Sequence, residues 1–284
     1  MLLASIAAYG VAAGALKPVE EMRSQAAEIS AAQPDKRLSV PPSRDEVARL
    51  GVTLNEMLDR LAEALEHERA FVADASHELR TPLAILRAEL ELALAEGRSA
   101  EELRDALASA AEETDRLNQL SEDLLTIAQT ERGELPLRRE SFEVASMLER
   151  VASRFAGRAK NQGRSIEIEA ERGLRLRADA LRVDQALGNL VDNALRHGAG
   201  TICVYARAGD EVVEVHVTDE GEGIPSPFLD QAFERFSRAA PSNRESGSGL
   251  GLSIVETIAR AHGGTAHAAN RPDGGADIWL SLPV

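Results

Sequence analysis

Apolar positions over the first 130 or so residues recur at helical spacing, and beyond Pro136 the spacing changes to that of strands alternating with helices. Leu58, Leu65, Val72, Leu79 and Leu86 fall seven residues apart, which keeps one seam of a helix turned toward a partner helix. No proline interrupts this stretch before Pro82, so the pattern predicts a long helix in a parallel dimer or bundle. The helix is expected to stop near Glu96-Gly97-Arg98, because Gly97 suits the position just past a helix end, and Ser99 with Glu102 makes a capping box for the next one. That second arm carries Leu103, Leu107, Ala110, Leu117, Leu120, Leu124 and Ile127 and ends before Arg132-Gly133. A helical hairpin results, and two hairpins make four helices.

Upstream, Pro18 to Leu65 reads as helix, connector, helix, since Pro34, Pro41 and Pro42 in the polar segment Gln33 to Ser43 forbid an uninterrupted helix. Met1 to Leu16 carries no charge. A helix of that length rises only about 24 Å against a bilayer core of about 30 Å, so it reads either as part of a membrane span or as an apolar helix start. A signal peptide fits less well, because the basic n-region is missing.

After a linker at Gly133 to Pro136 come strand-like Ser165 to Ala170 and Leu174 to Ala178, a helix from about Ala180 to His197, and strands Ile202 to Ala206 and Val212 to Thr218. A helix near Ser253 to His262 and strands Thr265 to Ala269 and Asp277 to Leu282 close a separate mixed domain. The expected fold class is α+β: a long hairpin forming a dimeric four-helix bundle, then an α/β sandwich.

Composition narrows the function. Of 284 residues 44% are hydrophobic and 28% charged, which argues against a collagen-like or wholly disordered chain, and aromatics are only 3%, too few for stacking many bases. The formal net charge of −15 repels a phosphate backbone, so no nucleic-acid partner is expected. The single cysteine, Cys203, cannot form an intrachain disulfide; it is expected as a small core residue on a strand, in a chain that fits a reducing compartment.

Four constellations carry chemistry. In Phe71-Val72-Ala73-Asp74-Ala75-Ser76-His77-Glu78-Leu79-Arg80-Thr81-Pro82-Leu83, the heptad register turns His77 to solvent. An exposed imidazole beside Glu78 can act as a nitrogen nucleophile, with the carboxylate taking its proton; by periodicity alone it is equally an ordinary surface residue. Pro82 would cost about 3 kcal/mol in a helix interior. On the helix after Ala180, a 100° wheel sets Leu187, Leu190, Val191 and Ala194 on one side and Asn189, Asn193 and Arg196 on the other. Amide oxygens are hard ligands suited to Mg²⁺ held with substrate phosphates, and Arg196 can offset phosphate charge; a solvated polar face is the plainer reading. The period-2 face of Val213, Val215 and Val217 continues inward to Asp219, a carboxylate that an adenine amino group could satisfy, while Gly221 and Gly223 let backbone approach a flat ring. Finally, Gly247-Ser248-Gly249-Leu250-Gly251-Leu252 opens a helix whose free N–H groups suit phosphate oxygens, without the signature of a P-loop or Rossmann turn. Ser237 to Ser246 before it reads as a mobile lid, with Arg235, Arg238 and Arg244 near phosphate or in solvent.

Taken together these strings resemble the sensor histidine kinases of two-component systems. Ser76 to Leu83 is similar to the H-box, Asn189 to His197 to the N-box, Asp219 to Pro225 to the G1 box, Phe233-Glu234-Arg235-Phe236 to the F-box and Gly247 to Leu252 to the G2 box, with His262-Gly263-Gly264 downstream. The resemblance implies residues 1–16 as a partial transmembrane helix, 17–69 as a HAMP-like linker, 70–132 as a dimerisation and phosphotransfer domain, and 137–284 as a Bergerat-type ATP-binding domain. It implies His77 as phosphoacceptor, Glu78 as its acid/base partner and Thr81 as positioning water for dephosphorylation. Nucleotide would meet Asn189, Asn193, Arg196, His197, Asp219, Gly221, Gly223, Ile224, Gly247, Gly249, Leu250, Gly251 and Leu252, with Mg²⁺ at Asn193 supported by Asn189. His197 stands where the family often has an aromatic. The implied cofactors are ATP and Mg²⁺; the implied partners are a second copy of the chain, a response regulator receiver domain and the inner membrane, with the catalytic region cytoplasmic. Without a first span, an extracytoplasmic sensor or a receiver domain, the chain is expected to be a fragment or the product of a late start. Two rivals share parts of this pattern: a nucleotide-driven clamp of the gyrase and heat-shock chaperone type, and a catalytically silent dimeric scaffold.

Overall fold

The seven-residue seam is realised as one helix, α1 (Glu46–Ala93), 48 residues long and continuous through Pro82. The computed structural model describes residues 17, 19–27, 29, 35–43, 45–95, 99–131, 135–171, 173–237 and 248–284. The expected membrane segment, Pro34, the stop at 96–98, the lid beyond Ser237 with Arg238 and Arg244, and Gly247 all lie outside them. The chain divides into two units, Met1–His77 and Glu78–Val284.

In the first unit, residues 19–27 are helical and pack with an extended connector against the start of α1. Met22, Leu38 and Ala48 are buried, and a Cβ on Gly51 would come within 3.2 Å of both Val40 and Met22. The connector is held by side chains standing in for a strand partner: Leu38 N–H donates to Asn55 Oδ1 at 2.8 Å while Asn55 Nδ2 donates to the Leu38 carbonyl at 3.0 Å. Ser39 N–H donates to Gln25 Oε1 at 2.7 Å, and Arg37 pairs with Asp59 at 2.7 Å. Helix, connector and helix therefore appear in the expected order.

The second unit opens with the rest of α1 and with α2 (Ala100–Glu131). The capping box forms, Ser99 N–H donating to Glu102 Oε2 at 2.8 Å and Glu102 N–H to Ser99 Oγ at 3.2 Å. Then follow β1 (Arg139–Glu143), α3 (Val144–Asn161), β2 (Ile166–Ala170), β3 (Arg175–Asp179), α4 (Ala180–His197), β4 (Ile202–Ala208), β5 (Val212–Thr218), the one-turn α5 (Ser226–Leu229), α6 (Gly251–Ala261), β6 (Thr265–Asn270) and β7 (Ala276–Pro283). The main sheet runs β2-β4-β5-β7-β6, with β2 parallel to β4 and the other pairs antiparallel; β1 and β3 form a separate antiparallel ladder. Helices α3, α4 and α6 cover one face, burying Leu148, Val151, Leu187, Leu190, Ile254 and Ile258 against Val204, Val215, Ile278 and Leu280.

Three expectations change. Strand β1 and helix α3 were not foreseen, although Val144, Met147, Leu148, Val151 and Ala152, all buried, carry a helical period. Helix α6 begins at Gly251, two residues earlier than its expected start at Ser253. Cys203 sits on a strand but not in the core: Ile202 and Val204 point inward, so parity turns its half-buried thiol to the outer face. That face is not simply solvated. Tyr205, His216, Trp279 and His267 stack across β4, β5, β7 and β6 with ring separations of 4.6, 5.1 and 5.0 Å, and His216 Nδ1 bonds Asp277 at 2.9 Å. The ladder explains why His216, opposite in parity to the valines, is also buried.

Candidate functional site

Ser76 to Leu83 lies wholly within α1. His77 and Thr81, one turn apart, are exposed; Glu78 and Leu79 are half-buried; Pro82 is buried. The imidazole thus faces solvent as the heptad register requires. Ser76 Oγ donates back to the Val72 carbonyl at 2.7 Å, a bond that tends to bend helices, upstream of the proline that removes a ladder donor.

Helix α4 is amphipathic as expected, with Leu187, Leu190, Val191 and Ala194 buried and Asn189 and Asn193 half-buried. Asn189 Nδ2 donates to the Gly251 carbonyl at 3.3 Å, which orients the amide; among the described residues its oxygen has no donor and Asn193 has no hydrogen bond. Arg196 Nε donates to Asp192 Oδ2 at 2.5 Å, and Arg158 pairs with the other oxygen. Burial and the neighbouring Arg196 charge pull the His197 pKa down, favouring a neutral ring.

Asp219 continues the inward face of β5 and is 6% exposed. Its Oδ1 accepts from Gly221 N–H at 2.7 Å. Backbone crowds it on two sides: a Cβ on Gly198 would lie 2.4 Å from its Cγ, and one on Gly275 only 1.9 Å from its carbonyl oxygen. Arg271 Nη1 donates to that same carbonyl at 3.0 Å. Further along the turn, Asn270 clamps Ile224 with both ends of its amide, accepting from the N–H at 2.6 Å and donating to the carbonyl at 2.7 Å.

Gly249 has φ +71°, and a Cβ there would meet the Phe236 carbonyl carbon at 2.8 Å, so the G2-like turn presses its backbone on the F-box-like one. Phe236 itself has φ +57°, a costly conformation for a bulky residue. Leu250 is fully buried and Leu252 half-buried, which pins the turn, and α6 starts without a side-chain cap. Among the described residues its first N–H groups therefore lack side-chain acceptors. His262, at the far end of α6, is buried; its Nδ1 donates to the Ile258 carbonyl at 2.8 Å and its Nε2 accepts from Asp179 N–H at 3.0 Å. Asp179 in turn caps α4, accepting from Leu181 and Arg182 N–H groups at 3.1 and 3.2 Å.

The fold thus brings Asn189, Asn193, Asp219, Gly221 and the Gly249 to Leu252 turn together around α4. Sequence reasoning missed Gly198, Asn270, Gly275 and Arg271. Gly274-Gly275 before a strand is a visible turn signal, whereas nothing local marks Asn270, whose partner is 46 residues away. A large open groove of about 960 Å³ lies elsewhere, on the outer sheet face beside Glu169, Cys203 and Tyr205, and contains none of the nucleotide candidates.

Comparisons with known proteins agree with this arrangement. Residues 11–63 match the HAMP domain, 67–133 the His Kinase A (phospho-acceptor) domain, and 178–284 the histidine kinase-, DNA gyrase B-, and HSP90-like ATPase family. The chain is 33% identical over 288 residues to the sensor protein IrlS of Burkholderia pseudomallei, covering 100% of this chain and 62% of that protein. It is also 33% identical over 287 residues to the signal transduction histidine-protein kinase BaeS of Escherichia coli, covering 100% and 61%. It therefore spans about three-fifths of the length of these relatives. Among solved structures, the Acinetobacter baumannii histidine kinase AdeS superposes with a TM-score of 0.62 at 27% identity, over 73% of this chain and 97% of that one. Full-length ShkA in complex with AMPPNP gives 0.58 at 26% identity, over 76% and 45%. With phosphoacceptor and ATPase modules in one chain and relatives aligned along its whole length, the protein belongs to the sensor histidine kinases of two-component systems.

Proposed function

We propose that the chain transfers the γ-phosphoryl group of ATP to a ring nitrogen of His77 and then to an aspartate of a response regulator receiver domain. The observation that carries the reading is the convergence of Asp219, the two asparagines of α4 and the uncapped start of α6 in a domain that shares its chain with an exposed His-Glu-x-x-Thr helix. Asp219 accepts from the adenine amino group, its one donor among the described residues being Gly221 N–H. The first N–H groups of α6 receive phosphate oxygens, to which the helix dipole adds.

The residues fit a hard cation held with phosphates: among the described residues the Asn189 oxygen has no donor, its nitrogen being the atom engaged with Gly251, and the Asn193 amide has no partner. Asn193, supported by Asn189, would hold Mg²⁺, which when bound neutralises charge on the phosphates. At His77 the neutral ring attacks the γ-phosphorus, the bond to the ADP oxygen breaks, and Glu78 takes the ring proton. Positioning and charge neutralisation supply most of the acceleration in such transfers. Exposed Thr81, one turn beyond His77, supports a second activity, orienting water for dephosphorylation of the regulator.

The half-buried seam of α1 supports a homodimer, and the uncharged Met1 to Leu16 supports attachment to the inner membrane. Among the described residues no helix is long and apolar enough to cross a membrane. The domain limits proposed are 17–69 for the HAMP-like linker, 70–132 for the phosphotransfer hairpin and 137–284 for the ATP-binding domain. The test is incubation with γ-labelled ATP. Wild type acquires an acid-labile, alkali-stable label and His77→Gln acquires none; a label that persists in His77→Gln, or ATP hydrolysis undiminished by it, returns the chain to the clamp reading.

A further inference from the structure

Arg164 follows the turn after α3, far in sequence from every nucleotide candidate, yet its guanidinium reaches the end of α4. Nη1 donates to the Ala194 and Leu195 carbonyls at 2.8 and 3.2 Å, Nε to the Gly200 carbonyl at 2.8 Å and Nη2 to the Ala199 carbonyl at 3.0 Å. The first two belong to the last turn of α4, where a cation complements the dipole; the Ala194 carbonyl also accepts from Gly198 N–H at 2.9 Å. The other two belong to the loop of residues 198–200.

That loop is the floor beneath Asp219. A Cβ on Gly198 would stand 2.4 Å from Asp219 Cγ, and one on Gly221 would stand 3.0 Å from Ala199 N. The Ala199 carbonyl, already bonded to Arg164, also accepts from Glu220 N–H at 3.0 Å, and Thr201 N–H donates to Glu220 Oε2 at 3.0 Å. The loop is therefore gripped from one side by the guanidinium and pressed from the other by Asp219, Glu220 and Gly221. A planar fork spreads its donors over four carbonyls in a way a lysine ammonium cannot.

We infer that Arg164 is a positioning residue for adenine recognition: by fixing the 198–200 loop it sets where the Asp219 carboxylate meets the base. The inference rests on the reading of Asp219 as the adenine acceptor. The test uses the full chain as wild type, Arg164→Lys, Arg164→Gln and Asp219→Asn, measuring calorimetric affinities for ATP and for purine riboside triphosphate, which lacks the 6-amino group, together with nucleotide-free thermal unfolding. Wild type prefers ATP, and Arg164→Gln shrinks that preference about fivefold to tenfold, the worth of one displaced hydrogen bond, with Arg164→Lys in between. Equal loss for both nucleotides, or a lower unfolding temperature with the preference intact, makes Arg164 a purely stabilising residue and overturns the inference. If Arg164→Gln does not fold, the same comparison is made with Arg164→Lys. If wild type shows no preference and Asp219→Asn changes nothing, the Asp219 reading itself fails and the inference with it, an outcome distinct from a preference that survives only the Arg164 changes.

Discussion

Asp219 shows how one buried charge becomes useful. It is 6% exposed and its carboxylate has a single donor among the described residues, the Gly221 N–H. A buried carboxylate so sparsely bonded is costly until a ligand supplies a second donor. Asp219→Asn keeps the shape but turns one oxygen into a donor where the proposed function sets the base amino group. We expect ATP affinity to fall roughly 10- to 100-fold, as for loss of a hydrogen bond to a charged group, with little change in nucleotide-free thermal unfolding. Unchanged titration by a fluorescent ATP analogue would remove Asp219 from the site. The companion glycines act sterically rather than chemically, which is why Gly198 and Gly275, outside any glycine-rich string considered from the sequence, matter as much as Gly221.

Between elements, two titrating groups join helices and pull stability in opposite directions with pH. His262 ties the end of α6 to the cap of α4, accepting from Asp179 N–H, and this bond exists only for the neutral ring. Burial lowers its pKa below the usual 6.5. The unfolded chain then binds more protons in the window below 6.5, so the stabilisation is complete above that pH and is lost as pH falls through the folded value. His262→Gln, which retains an acceptor but cannot titrate, is expected to lose that acid-side slope in thermal melts; a slope identical to wild type would refute the assignment. Asp123, on the part of α2 that packs on α4, is 4% exposed, accepts from Gln119 at 2.8 Å and Gln185 at 3.4 Å, and burial raises its pKa to about 6. Here the folded state binds the extra proton. Its contribution is full below the unfolded carboxylate value and disappears as pH rises through about 6, on the order of 2 to 3 kcal/mol in all. Urea unfolding should find Asp123→Asn more stable than wild type at pH 8 by about 1 to 3 kcal/mol and nearly equal at low pH; no gain at pH 8 would mean the carboxylate is well solvated.

For the molecule as a whole, the apolar seam of α1 points to association. Leu58, Leu65, Leu79 and Leu86 are only half-buried within one chain, and Val72 is 58% exposed. A second copy offers the same seam, as heptad spacing demands. Leu79→Lys with Leu86→Lys should convert a dimer to a monomer in sedimentation at micromolar concentration; a monomeric wild type would sink the bundle. Much of this was readable in the chain. Heptads, the Ser99–Glu102 box, the α4 wheel and the inward parity of Asp219 are local regularities, and local spacing alone dictates which side chains share a face. Strand boundaries in the mixed domain came within a few residues for the same reason. Other features depended on meetings between distant segments: Arg164 with residues 194–200, Asn270 with Ile224, His262 with Asp179, and the stacked rings that turn the outer face of β5 from solvent-facing to buried. No spacing rule foretells them, because each partner is an ordinary residue until the sheet order β2-β4-β5-β7-β6 sets it beside the other. The linear order of residues thus determined which chemical groups the protein carries and the faces they occupy, while only tertiary packing decided which backbone carbonyls, glycines and buried charges would hold them in place.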